Sequence, residues 1–293
     1  MPRETLTFPG HPEPNSGPLL AIDGLSVDAR TPQGVKRLVS EVSVSLERGH
    51  VLGVIGESGS GKTTLVRTAI GLLAKNVSVV AGRVVLGETT IYAPRVQNVE
   101  SVRGSRIGMV FQGASASLNP LMRVGAQLDE VLRVHQPDRS RGERRAAIVD
   151  ALEKMRFTDT SRIMRSYPFQ LSGGMKQRVA IALAVLPNPE VLIADESTSA
   201  LDVTTQAEVV ALLASVVAEG VGMVFVTHDL LLAREICTDI AVMHRGELVD
   251  YGSTGQVLGS PSSAYTRHLL DASVNPWARL AGDRRQLTTT TMT

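Results

Sequence analysis

The run Gly56-Glu57-Ser58-Gly59-Ser60-Gly61-Lys62-Thr63-Thr64 carries the residue types that a polyphosphate demands. Gly56, Gly59 and Gly61 permit turns where a Cβ would clash, so consecutive N–H groups of the loop can point inward toward an anion. Lys62 offers a point charge to the β- and γ-phosphates, Thr63 a hydroxyl to Mg²⁺, and Thr64 a hydroxyl within reach of the α-phosphate. Every fixed position of G-x-x-x-x-G-K-S/T is filled. A dinucleotide loop, G-x-G-x-x-G, would require glycine where Thr64 stands.

A second group of polar residues ends an apolar run, Val191-Leu-Ile-Ala-Asp195-Glu196. If its strand lies beside the strand of the phosphate loop, Asp195 reaches the Mg²⁺ shell through water, and Glu196 can polarise an attacking water. Removal of a general base costs about 10²–10⁴ in rate. A strand ending in two solvated acids is also an ordinary feature; the company of the phosphate loop favours chemistry.

These residues need elements to hold them. Val51–Ile55 is a short apolar run before the loop, and Leu65, Ala69 and Leu72 follow at helical spacing. Val42, Val44 and Leu46 alternate with serines as in a half-buried strand, and Arg106–Phe111, Met223–Thr227 and Ile240–His244 resemble the buried strand. Helical stretches between several of them predict an α/β sheet with parallel members. Pro120–Arg178 holds helical patterns and no strand. There Ser140 and Glu143 have capping-box spacing, and Ile148, Ala151, Leu152 and Met155 share one face.

The 293 residues suit one large domain or two small ones. Lys+Arg 30 against Asp+Glu 29 gives no basic excess, so no nucleic-acid partner is expected. The lone Cys237 excludes an intrachain disulfide and reads as a small buried apolar group. No apolar run approaches the ~20 residues of a membrane helix. Residues 1–17, rich in Pro and Gly, predict a disordered leader, and 273–293 a short loose tail.

Leu171-Ser-Gly-Gly-Met-Lys-Gln-Arg178 resembles the LSGGQ signature of ABC (ATP-binding cassette) ATPases. Ser172, Gly173 and Gly174 would open a helix, with hydroxyl and N–H groups facing an anion. One ATP cannot use two distant helix ends of a single chain, and the family answers with a head-to-tail dimer. Other motifs follow in family order. Gln112 looks like the Q-loop glutamine that senses Mg²⁺ and the attacking water, Ser199–Asp202 like the D-loop at the dimer interface, and His228 like the switch histidine of the γ-phosphate. The resemblance implies an α/β P-loop NTPase with a RecA-like mixed sheet, an antiparallel β-subdomain and a helical subdomain inserted over about 113–178, all within 18–272.

Val110–Pro120, Tyr167–Met175 and Pro261–Leu270 further resemble the peptide and nickel importers, the oligopeptide/dipeptide permease group. That resemblance implies an ATPase using ATP and Mg²⁺, paired with a second, related ATPase chain on two membrane permease subunits. It places the chain at the cytoplasmic face of the membrane, with an extracytoplasmic substrate-binding protein as an indirect partner. An exporter ATPase or a non-transport ABC protein is the alternative. Four departures stand out: Ala29 lies where the family carries an adenine-stacking aromatic, with Lys36 or Arg37 as substitute cations; Ser197 replaces Pro; Gly113-Ala114 replaces Asp-Pro; and Ser263-Ala264 replaces His-Pro.

Overall fold

The computed structural model describes residues 17–93, 96–113, 117–198 and 201–274. The expected leader and tail fall almost wholly outside them, as do Ala114, Ser199 and Ala200. The described strands form two sheets. The antiparallel one joins β1 (Leu20–Thr31), β2 (Gly34–Leu46), β4 (Val77–Leu86), β5 (Thr89–Ala93) and β6 (Val96–Gln97), in the order β2-β1-β4-β5-β6. The other contains β3 (Val51–Ile55), β7 (Ile107–Val110), β8 (Val191–Asp195), β9 (Gly222–Thr227), β10 (Asp239–His244) and β11 (Glu247–Ser253), in the order β11-β10-β3-β9-β8-β7. It is parallel except for β11, which runs antiparallel on β10.

The parallel strands are covered on both faces, which is why they read as continuous apolar runs. Successive side chains point to opposite faces. Val51, Ile55, Leu192, Ala194, Met223, Phe225, Ile240 and Val242 pack on the helical side. Leu52, Val54, Val191, Ile193, Val224, Val226, Ala241 and Met243 pack toward the antiparallel sheet and α1 (Lys62–Ala69). Cys237 is buried, and burial pushes its thiol pKa up, in keeping with an inert packing group. It fills the space left by Gly53, where a Cβ would stand 2.6 Å from its sulfur.

The helical layer comprises α2 (Val124–His135), α3 (Arg141–Lys154), α4 (Thr160–Arg165) and α5 (Gly173–Val185). Leu128, Leu132, Ile148, Leu152 and Ile163 are buried together in it. Ser140 and Glu143 form the reciprocal capping box that starts α3. The chain continues through α6 (Val203–Ala218), α7 (Leu230–Ile236), α8 (Thr254–Gly259) and α9 (Ala264–Val274).

One expectation is corrected here. The strand carrying Asp195 is not the neighbour of the phosphate-loop strand, because β9 lies between β3 and β8. The carboxylate still reaches the loop, since α1 leaves the end of β3 and crosses over β9 and β8.

Candidate nucleotide site

The loop between β3 and α1 is set by its glycines. Gly56 has φ +147°, and a Cβ there would stand 2.2 Å from the carbonyl oxygen of Met243. Gly61, with φ +103°, occupies the N-cap of α1. The Lys62 ammonium folds back into the loop and donates to the carbonyls of Gly56 and Glu57, each at 2.8 Å. The residue is only 4% exposed. Burial lowers its pKa, against the raising influence of Glu196, Asp195 and Glu57. A buried ammonium held by two neutral carbonyls has no formal counter-charge among its hydrogen-bond partners, which suits it to receive an anion.

Thr63, the next residue of α1, turns to the end of β8, where its hydroxyl donates to Asp195 Oδ1 at 3.3 Å. One helical turn later Arg67 sits 3.6 Å from Asp195 Oδ2. Asp195 is 1% exposed, and its Oδ2 accepts no hydrogen bond. Burial raises its pKa, opposed by the Arg67 charge and the Thr63 hydroxyl. Arg67 was not among the residues the sequence singled out, although its i,i+4 spacing from Thr63 was a usable signal.

Glu196 follows in the left-handed region, φ 46°, with its N–H donating to Val226 O at 3.1 Å. That turn carries its carboxylate off the strand axis toward two loops. Gln112 Nε2 donates to Glu196 Oε2 at 2.9 Å, and His228 Nδ1 stands 3.9 Å from Glu196 Oε1. Thr63, Asp195, Glu196, Gln112 and His228, drawn from four separate stretches, thus converge on one place. Ser58, Gly59, Lys62, Thr63, Thr64, Gln112 and Glu196 share an open cleft whose outer wall includes Lys36 and Arg37. No aromatic side chain is among its described lining residues. Lys36 pairs with Ala29 across β1 and β2, and Arg37 makes an ion pair with Asp28.

The other expected residues lie elsewhere. Ser172, Gly173, Gly174 and Asp202 do not line this cleft. Ser172 is the N-cap of α5, its hydroxyl oxygen accepting the Met175 N–H at 3.3 Å. Gly174 is packed so tightly that a Cβ would stand 2.6 Å from Thr205 Cγ2. Asp202 caps α6 through the Thr205 N–H and hydroxyl, at 3.0 and 2.7 Å, and the first of these bonds lowers its pKa. The sequence did not foresee that Asp202 and Gly174 meet through one threonine.

Residues 39–199 match the family described as ABC transporter. The oligopeptide transport ATP-binding protein OppD of Lactococcus lactis subsp. cremoris (strain SK11) is 37% identical over 268 residues, covering 90% of this chain and 78% of that protein. The probable D,D-dipeptide transport ATP-binding protein DdpD of Escherichia coli (strain K12) is 39% identical over 259 residues, covering 87% and 78%. Among solved structures, the ATP-binding cassette MJ0796, a dimer in a post-hydrolysis state bound to ADP and Pi, aligns with a TM-score of 0.70 and 26% identity, covering 80% of this chain and 98% of that one. With a phosphate loop, a buried carboxylate beside it, and a glutamate held between a glutamine and a histidine, the chain belongs to the ABC transporter family as an ATPase.

Proposed function

We propose that this chain powers a peptide importer by hydrolysing ATP between its own phosphate loop and the signature helix of a second ATPase chain. The observation that carries the reading is that Lys62, Thr63, Glu196 and Gln112 line one open cleft, with Asp195 behind it on the Thr63 hydroxyl and His228 beside it at Glu196. In this reading the Gly56–Thr64 loop and the Lys62 ammonium hold the β- and γ-phosphates, although the Glu57 N–H faces outward to Tyr265 and the Ser60 N–H donates to the Glu57 carbonyl. Glu196 takes the proton of the attacking water. Gln112 and His228 orient that carboxylate, and His228 also contacts the γ-phosphate.

Thr63, Gln112 and Asp195 fit Mg²⁺, a hard cation that prefers oxygen ligands. The Thr63 hydroxyl and Asp195 Oδ1, brought 3.3 Å apart beside the loop, are the observation that favours it. Mg²⁺ bound there would neutralise charge developing on the phosphates. On the base side, Lys36 and Arg37 take the place of the missing aromatic at Ala29 and offer cations to the adenine ring.

Ser172, Gly173, Gly174 and Asp202 complete the site of the partner chain. Their separation from this chain's own cleft supports that reading. ATP then acts by population shift, closing the dimer only to the extent that it binds the closed form better than the open one. Membrane permease subunits dock on the groove between α2, α5 and β7, where Met109, Met122, Val131, Val134 and Leu183 make an apolar wall. Among the described residues no helix is long and apolar enough to cross a membrane, so the spanning part belongs to those partners. The peptide cargo follows from the names of the relatives, including a putative peptide import ATP-binding protein of Brucella ovis.

Reconstitution of the complete complex in liposomes tests this reading. ATP-dependent peptide uptake that disappears with Lys62→Ala is expected. Uptake indifferent to that substitution would refute it.

A further inference from the structure

We infer that Tyr265, in the C-terminal helix α9, is a positioning residue for the phosphate loop, orienting the peptide group that holds Lys62. The inference deepens the phosphate-loop reading proposed above and rests on it.

The Glu57 N–H donates to the Tyr265 phenol oxygen at 3.1 Å, a contact between residues 208 positions apart. The carbonyl of that same planar peptide group belongs to Gly56, and it accepts the Lys62 ammonium at 2.8 Å. One peptide plane is therefore clamped at both ends, by the phenol outside the loop and by the lysine inside it. Gly56 itself, at φ +147°, has no Cβ to fix its orientation. The phenol supplies the restraint that the glycine cannot.

Tyr265 is itself held in place. Its ring lies against that of His244, with centroids 3.8 Å apart and planes inclined by 33°. His244 ends β10, and the turn after it donates the Gly246 N–H to the Ser60 carbonyl at 2.9 Å, so the same corner grips the loop a second time. The start of α9 is pinned to β11 by Asp250. Its carboxylate accepts the N–H groups of Ser262 and Ser263, at 3.1 and 3.0 Å, and the hydroxyl of the fully buried Thr266. The stretch Pro261–Leu270 thus has a mechanical link to the nucleotide site through a single hydroxyl. Burial raises the phenol's pKa, which keeps it protonated and neutral at physiological pH.

The test is Tyr265→Phe in the full chain, which keeps the ring on His244 and removes only the acceptor of the Glu57 N–H. Loss of one hydrogen bond to the loop is expected to raise the ATP Kd, and the KM of hydrolysis, by about three- to tenfold at nearly unchanged kcat. The ring contact with His244 is expected to preserve the melting temperature of the nucleotide-free protein. Tyr265→Leu, which also removes the ring contact, should raise the Kd at least as much. An ATP Kd for Tyr265→Phe equal to wild type, whatever the melting temperature does, would overturn the inference. Lys62→Ala, measured in parallel, separates the two failures. If it abolishes ATP binding while Tyr265→Phe has no effect, only the role of Tyr265 falls; if it leaves ATP binding intact, the phosphate-loop reading falls first.

Discussion

Thr63 and Asp195 are joined by a 3.3 Å hydrogen bond, although β3 and β8, the strands that deliver them, are separated by β9. The bond depends on α1, which starts at Gly61 and runs back across the sheet. Its first turn places a hydroxyl, and its second the Arg67 guanidinium, against the same buried carboxylate. The cleft is therefore built across three strands of the sheet.

Ser172→Arg tests the division of the site between two chains. Ser172 is exposed at the N-cap of α5 and does not line this chain's own cleft. The variant should bind ATP at its own loop with unchanged affinity. If the signature helix completes the partner's site as proposed, it should lower hydrolysis in the assembled complex by at least tenfold, because a bulky cation replaces the Ser172 hydroxyl there. Equilibrium binding to the isolated chain and turnover by the complex check the two halves. Unchanged turnover would show that the signature helix takes no part in the partner's site. Some loss of stability is also expected, since replacing an N-cap serine typically costs about 0.5–2 kcal/mol.

Ala29→Tyr places a ring on β1 opposite Lys36, which lines the cleft. Base–aromatic stacking is worth about 1–3 kcal/mol, so ATP affinity should rise about fivefold or more. ATP titration of the variant against wild type checks this. A Kd within twofold of wild type would mean that Lys36 and Arg37 already satisfy the base, or that the base lies elsewhere; removing both cations distinguishes these outcomes.

Gly53→Ala should destabilise the core without touching the cleft. The added methyl would stand 2.6 Å from Cys237 Sγ, and overpacking of this kind costs about 1–3 kcal/mol. Cys237→Ala removes the obstructing sulfur, so the double variant should regain most of the loss in urea unfolding. A double variant no more stable than Gly53→Ala alone would contradict the packing account.

Most of the candidate site was legible because its residues sit in short contiguous motifs at the ends of buried strands, where apolar runs mark the strand and polar residues mark its end. The antiparallel sheet was much less legible. Only Val42, Val44 and Leu46 announced it, at one end of a β2 that begins at Gly34. Its partner β1 shifts register between Ile22 and Leu25, between Leu25 and Val27, and again between Val27 and Asp28. Each shift breaks the two-residue alternation by which a strand is recognised. The strand order of the parallel sheet was not legible either, since buried strands of like composition carry no label for their neighbours. The placement of Asp195 beside β3 failed for that reason. Arg67, and the part played by Tyr265 within the stretch Pro261–Leu270, were not legible for a different reason: both acquire meaning only from contacts with Asp195 and Glu57 that the fold creates.

Glu196→Gln, assayed for both ATP retention and turnover in the assembled complex, tests the central claim most directly. The amide keeps the size of the side chain and can still meet Gln112 and His228, but it cannot take a proton from water. ATP should bind as tightly as to wild type or tighter and favour the closed dimer, while turnover falls by about 10²–10⁴. Turnover within a few fold of wild type would contradict Glu196 as the base, and loss of ATP binding would contradict the assignment of the cleft.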